Sequence, residues 1–204
     1  MLVSHDNHPD NLDDAGRALA LAAPLLLTTT SGAGRLGHPA VALPPWTSHT
    51  LARPDGGELT VTAVPAVHGP EDGERDPDGF VNCEVIGFVL SGRGLPTVYV
   101  SGDNASIRTV ADIARRVPDI DAVVLHAGAA RVQGKFGGRA LSLDSIRAAA
   151  AAAVLGPAMI IPAHYDGWEH FCEGRDDLAT AFDDAGLSAD VRLSDHGTWI
   201  PLRS

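Results

Sequence analysis

The amino-acid sequence predicts a single α/β domain, in the mixed α+β sense, over residues 1–204. Short β-branched or apolar runs alternate with alanine-rich runs of helical length, which is the pattern of strands and helices in a mixed fold. A chain of 204 residues, 45% of them hydrophobic, can also bury one sizeable core. We therefore expect a sheet that is covered by helices.

The first helix is predicted by an alanine- and leucine-rich run over residues 15–23. Asp10, Asn11 or Asp13 can cap its N-terminus, because a side-chain oxygen there accepts a hydrogen bond from a free backbone N–H. Two apolar residues precede the polar stretch 4–13 and indicate the end of a strand. The polar stretch therefore lies at a strand-to-helix turn, where α/β folds tend to place their chemistry.

The other strands are predicted from short β-branched or apolar runs that glycine and proline bound. They lie at residues 25–30, 58–67, 83–90, 97–100, 121–125, 159–162, 191–193 and 199–202. The other helices are predicted at residues 31–37 as one turn, 106–117 with Ser106 as the cap, 142–155 begun by Ser142 or Asp144, and 176–185. Residues 38–54 contain several prolines and predict an ordered connection, with His38 and His49 on the surface. The acidic residues 71–79 are expected to flank a site entrance.

The charge and the cysteines restrict the partners and the compartment. The formal net charge is -11 at pH 7, which disfavours a nucleic acid or an anionic membrane as partner. An anionic small-molecule substrate is still compatible, since a bound cation would reverse the local sign. Cys83 and Cys172 lie far apart in unrelated contexts, so we expect no disulfide framework and a cytoplasmic location. Residues 148–155 are apolar but too short to span a bilayer.

The polar stretch 4–13 is unusually rich in groups that bind metals. It holds two imidazoles, three carboxylates and two carboxamides. Neutral imidazole nitrogen together with carboxylate oxygen is the donor set of zinc, manganese and iron sites. His5 and His8 can both face one point if the turn wraps around it. The alternative is a helix cap with two solvated histidines.

Further ligand-type residues follow predicted strands along the chain. His68, Asp103, His126 and His164 each stand at a strand end and are followed by a glycine-containing turn, a loop or a helix. Parallel strands bring their C-terminal ends to one edge of a sheet, so these side chains can converge with the polar stretch. Coincidence is a poor explanation for five segments that share this pattern.

With these residues in this order, the sequence resembles the metallo-β-lactamase-fold hydrolase superfamily. The hallmark of that family is a His-x-His-x-Asp-His turn, then a lone histidine, a bridging aspartate after a strand, and a final histidine. The Ser-Gly-Asp form at Asp103 and the Ile-Pro-Ala-His form at His164, followed by Trp168 and His170, look most like the bacterial branch related to ascorbate-6-phosphate lactonase. The resemblance extends from residue 2 to about residue 171 and implies a four-layer αββα sandwich.

The first turn departs from the family hallmark. With one extra residue in the turn, His5, His8 and Asp10 are the ligands, and Asp6 is the rival of His5 as the first ligand. Asn11 stands where the family has its last histidine and would be a weaker, neutral donor. The second metal position would then be loose or empty.

The chain also begins almost on the motif, whereas the family has several strands before it. We expect either a truncated start, so that the usual N-terminal strands are lacking, or a second copy of the chain that covers the exposed sheet edge. In the second case the protein would be a homo-oligomer.

The resemblance implies one or two divalent metal ions, with zinc preferred and manganese or iron as alternatives. His5, His8 and His68 would bind one ion, whereas Asp10, His164 and Asn11 would bind the other. Asp103 would bridge the two ions.

The activity that the resemblance implies is hydrolysis of a small-molecule ester, lactone or phosphoester by a metal-bound hydroxide. The catalytic residues would be Asp10, Asp103 and His170. His126 and Asp166, like His170, would orient ligands or donate protons, and their alternative role is that of buried hydrogen-bonded residues. Arg131 and Lys135 could meet an anionic substrate group or lie on a solvated loop. The competing hypothesis is a non-catalytic remnant of the same fold that has lost its metals.

Overall fold

A computed structural model describes residues 1–70 and 82–202 of the protein. The strands of the described residues, in chain order, are β1 (Leu26–Thr28), β2 (Ala40–Ala42), β3 (Ser48–Ala52), β4 (Glu58–Pro65), β5 (Ile86–Ser91), β6 (Val98–Val100), β7 (Ala122–His126) and β8 (Met159–Ala163). The α-helices are α1 (Asp14–Leu21), α2 (Thr30–Leu36), α3 (Ile107–Arg116), α4 (Ser145–Leu155) and α5 (Arg175–Asp184).

The strands form two sheets of unequal size. The larger sheet has six strands in the order β3-β4-β5-β6-β7-β8, and the smaller one pairs β1 with β2 in parallel. Strands β3 to β6 pair antiparallel with their neighbours, while β6, β7 and β8 are parallel to one another. Because β4 and β6 are both antiparallel to β5, strands β4, β6, β7 and β8 all run in the same direction.

Three apolar clusters show how the layers stack. One cluster packs α3, α4 and α5 on the larger sheet and includes Tyr99, Leu125 and Phe182. A second lies between the two sheets, where Leu27 of β1 meets β4 and β5. The third joins the smaller sheet to α1 through residues such as Ala20. Helix, sheet, sheet and helix thus follow one another, and the predicted four-layer αββα arrangement is confirmed.

Local side-chain chemistry explains where the helices begin. Asp13 caps α1 by accepting from the Gly16 backbone N–H at 2.6 Å, so it is Asp13, among the three candidates, that does so. Ser106 caps α3 as predicted. Asp144, rather than Ser142, caps α4 through the Arg147 backbone N–H at 2.8 Å. Within the described residues, the helices lack the combined length and apolarity that a membrane crossing requires.

Several strand predictions were wrong. The segment 38–54 contains β2 and β3, whose short or polar sequences pair through the backbone and carry little hydrophobic signal. His38 is exposed as expected, but His49 is half-buried on β3. Before the polar stretch, Leu2 makes only an isolated bridge to Leu27. Described residues 191–202 form no strand, and Val191 makes a single bridge to Ile160 at the outer edge of β8.

Candidate metal centre

The parallel strand ends bring the predicted site residues to one edge of the larger sheet. His68 follows β4, Asp103 follows β6, His126 ends β7 and His164 follows β8. Since these four strands share one direction, their side chains project into the same space. The turn 4–13 joins them there, because the Ile86 backbone N–H donates to the Ser4 carbonyl at 3.1 Å.

Within the turn, Asp6 and Asn11 hold the backbone in place. The Asp6 carboxylate, 2% exposed, accepts from Arg35 Nε at 3.0 Å and from Arg35 Nη2 at 2.5 Å. Arg17 also donates to the Asp6 carbonyl at 3.0 Å. Asn11 donates to the His5 carbonyl and accepts from Ser4 Oγ. Both side chains therefore make hydrogen bonds that hold the turn. From the sequence, Asp6 was the alternative to His5 as first ligand and Asn11 was a weak ligand of the second ion.

A first group of donor atoms consists of His5, His8, His68 and Cys83. The three imidazole centroids lie 5.0–5.4 Å apart. One nitrogen from each histidine and the Cys83 sulfur all lie within 4.8 Å of one another. On the inner side, the Nε2 atoms of His5 and His68 lie 3.7 and 3.5 Å from Asp103 Oδ2. These distances exceed a good hydrogen bond and leave room between the atoms.

The protonation of two of these imidazoles follows from their outer contacts. His68 Nδ1 lies 3.0 Å from the Leu141 carbonyl, which can only accept, so the proton is on Nδ1 and Nε2 keeps its lone pair. His5 Nδ1 lies 3.1 Å from Ser4 Oγ, whose own proton goes to Asn11, and the same tautomer results. Burial lowers the pKa of His5 to about 3 and also lowers the pKa of His68, so both rings are neutral at pH 7.

Two imidazole nitrogens face Asp103 and have no hydrogen-bond partner among the described residues: His5 Nε2 and His68 Nε2. We call them the open nitrogens. A buried polar atom left in this way costs about 1–3 kcal/mol, so a protein rarely keeps several together without a use. A cation bound to the lone pairs of His5 and His68 removes that cost, and the donor set fits it.

A second group consists of Asp10, Asp103, His126, His164 and His170. His164 Nε2 and His170 Nε2 lie 3.2 and 3.0 Å from Asp10 Oδ2. Asp103 Oδ1 lies 2.6 Å from His126 Nδ1 and 3.5 Å from His164 Nε2. Oδ2 of Asp103 thus faces two histidines of the first group, and Oδ1 faces His126 and His164 of the second. This is the arrangement expected of a carboxylate that bridges two ions.

The electrostatics of the second group favour a positive charge. Burial opposes ionisation of Asp103, yet the hydrogen bond from His126 and the neighbouring imidazoles hold its pKa well below the usual range. Burial likewise opposes ionisation of Asp10, but its contacts with His164 lower its pKa to about 2. Burial acts to lower the pKa of His164, but the carboxylates of Asp10 and Asp103 raise it above its usual value. Two ionised, buried carboxylates therefore need either a protonated imidazole or a cation between them.

The backbone at the strand ends takes unusual conformations. His164 has φ 59°, a left-handed conformation that a side chain rarely adopts and that costs about 1–3 kcal/mol. Gly102, before Asp103, has φ +58°, and a Cβ there would meet the Ile86 carbonyl oxygen at 2.6 Å. The close approach of Ile86 explains why glycine precedes Asp103.

A cavity of about 670 Å³ opens over both groups. Site residues lie at its floor, and Val132, Phe136 and Trp168 add apolar walls. Arg131 and Lys135 also line it. The acidic residues 71–79, which we expected at a site entrance, lie within the segment 71–81, outside the described residues.

Apart from Asn11, whose side chain is engaged within the turn, the structure brings together the residues that the sequence nominated as ligands or catalytic groups: His5, His8, Asp10, His68, Asp103, His164 and His170. It places Asp166 elsewhere, since that carboxylate is exposed and 2.6 Å from His196 Nε2. It adds Cys83, which sequence reasoning missed. Cys83 is at least 15 residues away in sequence from every other donor, so its contact with the histidines is visible only in the folded chain.

Comparison with known proteins agrees with this geometry. Residues 11–165 match the family model of the β-lactamase superfamily domain. A UPF0173 metal-dependent hydrolase of Methanosphaerula palustris is 31% identical over 163 residues, which cover 78% of this chain and 66% of the relative. Its counterpart in Anaeromyxobacter dehalogenans is 26% identical over 141 residues, covering 69% of this chain and 47% of that protein. The chain thus spans between about half and two thirds of the length of these relatives.

A solved structure shows the same fold at low sequence identity. The crystal structure of a possible metal-dependent hydrolase from Veillonella parvula aligns with a TM-score of 0.80 at 17% identity, over 97% of this chain and 73% of that one. These matches do not single out the lactonase branch, so that part of the resemblance stays a prediction. The family model, the curated relatives and the four-layer fold around one edge of ligand side chains agree, and the chain belongs to the β-lactamase superfamily.

Proposed function

We propose that the protein is a metal-dependent hydrolase of a small-molecule ester, lactone or phosphoester. The observation that carries this proposal is that the open nitrogens of His5 and His68 face the buried carboxylate of Asp103, while His164 Nε2 lies 3.2 Å from Asp10 Oδ2. The alternative, a remnant that has lost its metals, is not favoured, because such a fold has no reason to retain costly buried polar atoms. The names of the curated relatives agree with a metal-dependent hydrolase.

The two groups suggest two cation positions. His5, His8 and His68 would hold the first cation, and Asp10, His164 and His126 the second. Zinc suits the imidazole-rich donor set best, with manganese or iron as alternatives. When bound, a divalent cation supplies a water whose pKa falls from about 15.7 to about 7 and a positive charge for the substrate oxygen.

The protein side chains orient the reacting groups. Asp103 would be the shared ligand, and the 2.6 Å contact with His126 holds its carboxylate in one orientation. His170, whose side chain is 30% exposed, lines the cavity with Nε2 3.0 Å from Asp10 Oδ2. We infer that His170 gives a proton to the leaving group and that Asp10 fixes the direction of that imidazole.

The cavity suggests the substrate class. Its volume suits a small molecule, and its apolar walls at Val132, Phe136 and Trp168 suit a substrate with an apolar part. Arg131 and Lys135 would face an anionic group of the same molecule. The acidic chain disfavours nucleic acids and anionic membranes as partners, and a cytoplasmic location and a homo-oligomer remain predictions.

Metal analysis combined with a substrate panel tests the proposal. We expect about one to two equivalents of metal per chain and hydrolysis of at least one generic ester, lactone or phosphodiester. His68→Ala should lose a metal equivalent and reduce activity by about 100-fold or more. The control is His38→Ala, because His38 is exposed and outside both groups. Wild-type protein that holds no stoichiometric metal after reconstitution would contradict the proposal.

A further inference from the structure

Cys83 lies directly beside the first group, just before β5. Its sulfur is 3.5 Å from His8 Nε2 and within 4.8 Å of one ring nitrogen each of His5 and His68. Its thiol is half-buried, and burial raises its pKa to about 12. The other cysteine of the chain, Cys172, is exposed and makes no part of either group.

The imidazoles next to Cys83 give independent evidence of a ligand. The side chains of His5 and His68 are 0% and 5% exposed, and both contribute an open nitrogen directed into the space that Cys83 borders. A thiol is only a weak donor and acceptor, so Cys83 cannot replace the hydrogen bonds that these nitrogens forgo. A cation placed among the four side chains would use the lone pairs of both nitrogens and the sulfur together.

We propose that Cys83 supplies a thiolate ligand to the first cation, together with His5, His8 and His68. This inference rests on the proposed function and refines it. Binding breaks the S–H bond of Cys83, forms a sulfur–metal bond and releases one proton to solvent, with no change in oxidation state. Three imidazoles and one thiolate would supply four nitrogen and sulfur donors besides the shared carboxylate of Asp103, and such donors suit zinc.

The donor types then divide the work between the two positions. A thiolate favours zinc, cobalt or copper over manganese, so the first position should select a softer ion. Together with the shared carboxylate of Asp103, these four donors would fill the first position and leave no open place for water or substrate there. The exchangeable position would belong to the second group, where the carboxylates of Asp10 and Asp103 also suit manganese or iron.

Cobalt spectroscopy of the 204-residue chain tests this inference without measuring activity. We expect Co²⁺-reconstituted wild-type protein to show a near-ultraviolet sulfur-to-cobalt charge-transfer band. Cys83→Ser and Cys83→Ala should lose that band and bind Zn²⁺ about 10–100-fold more weakly. Cys172→Ser should keep both, because it removes the same functional group from an exposed site. Near-ultraviolet circular dichroism of each variant checks that the fold is kept.

The possible results separate the inference from the proposed function. Stoichiometric cobalt that is lost in His68→Ala but gives no sulfur band would overturn the role of Cys83 and leave the hydrolase proposal intact. Retention of the band in a folded Cys83→Ala variant would do the same. Absence of any bound cobalt or zinc in wild-type protein would overturn both. A band that Cys83 variants lose and Cys172→Ser keeps supports the inference.

Discussion

Adjacent side chains of the turn 4–13 face opposite sides and have different tasks. His5 points to the sheet edge and Asp103, whereas Asp6 points to Arg35 of α2. Arg35 is 45% exposed, but the carboxylate that it neutralises is 2% exposed, so the pair is anchored in the protein interior. We infer that Asp6 holds the turn in the conformation in which His5 and His8 meet.

Arg35→Ala should therefore destabilise the protein by about 1–3 kcal/mol, because it leaves the buried carboxylate of Asp6 with only the longer contact to Arg17. Urea unfolding measures this difference. Arg115→Ala is the matched control, since it removes an exposed pair with Asp112 and should cost less than about 1 kcal/mol. An equal effect of the two substitutions would argue against a structural role for the Asp6 ion pair.

Strand ends, rather than whole strands, determine the geometry of the site. Asn104 shows this most directly, because its buried Oδ1 accepts from the backbone N–H of Val67 at 3.0 Å. This bond ties the end of β4 to the turn after β6 and so sets His68 against Asp103. Gly102 lets the same turn approach Ile86 closely.

Gly102→Ala should cost about 2–4 kcal/mol, since it combines a left-handed residue with a Cβ pressed on the Ile86 carbonyl. It should also weaken zinc binding, because Asp103 must move with the turn. Gly156→Ala tests the conformation alone: Gly156 has φ +63° with nothing within 4 Å of an added Cβ, and about 1 kcal/mol is expected. Thermal unfolding and zinc titration of both variants measure the two effects. Unchanged zinc affinity in Gly102→Ala would disprove the link between the turn and the site.

The cations would join parts of the molecule that are distant in sequence. The proposed ligands come from the turn before α1 and from the ends of β4, β6, β7 and β8, so they would link the smaller-sheet side of the fold to the larger sheet. A ligand that binds only the folded chain stabilises it by mass action.

Chelation should accordingly lower the unfolding temperature. At a free metal concentration of a hundred times Kd, bound metal stabilises the folded chain by about 2.7 kcal/mol, which for a domain of this size corresponds to roughly 5–10 °C. Differential scanning calorimetry with and without chelator measures the shift. His68→Ala should abolish most of it and His38→Ala should retain it. A wild-type midpoint that chelator leaves unchanged would count against bound metal in the folded protein.

Sequence alone was sufficient for the Ser106 cap, for most of the strands and for the nomination of His5, His8, Asp10, His68, Asp103 and His164. These features depend on short-range rules: a strand has a recognisable composition, and a polar residue directly after it must lie at the sheet edge. The weak strands β2 and β3 escaped prediction, since their pairing depends on backbone bonds to neighbours distant in the chain.

Only the tertiary structure decided the directions of side chains and the contacts between segments. The choice between His5 and Asp6 depends on Arg35, 29 residues away from Asp6, and the position of Cys83 against His8 spans 75 residues. No local pattern encodes such contacts, because they arise when separate elements pack. The physical reason is that the composition of a turn determines which donors are available, whereas packing determines which of them face the same point.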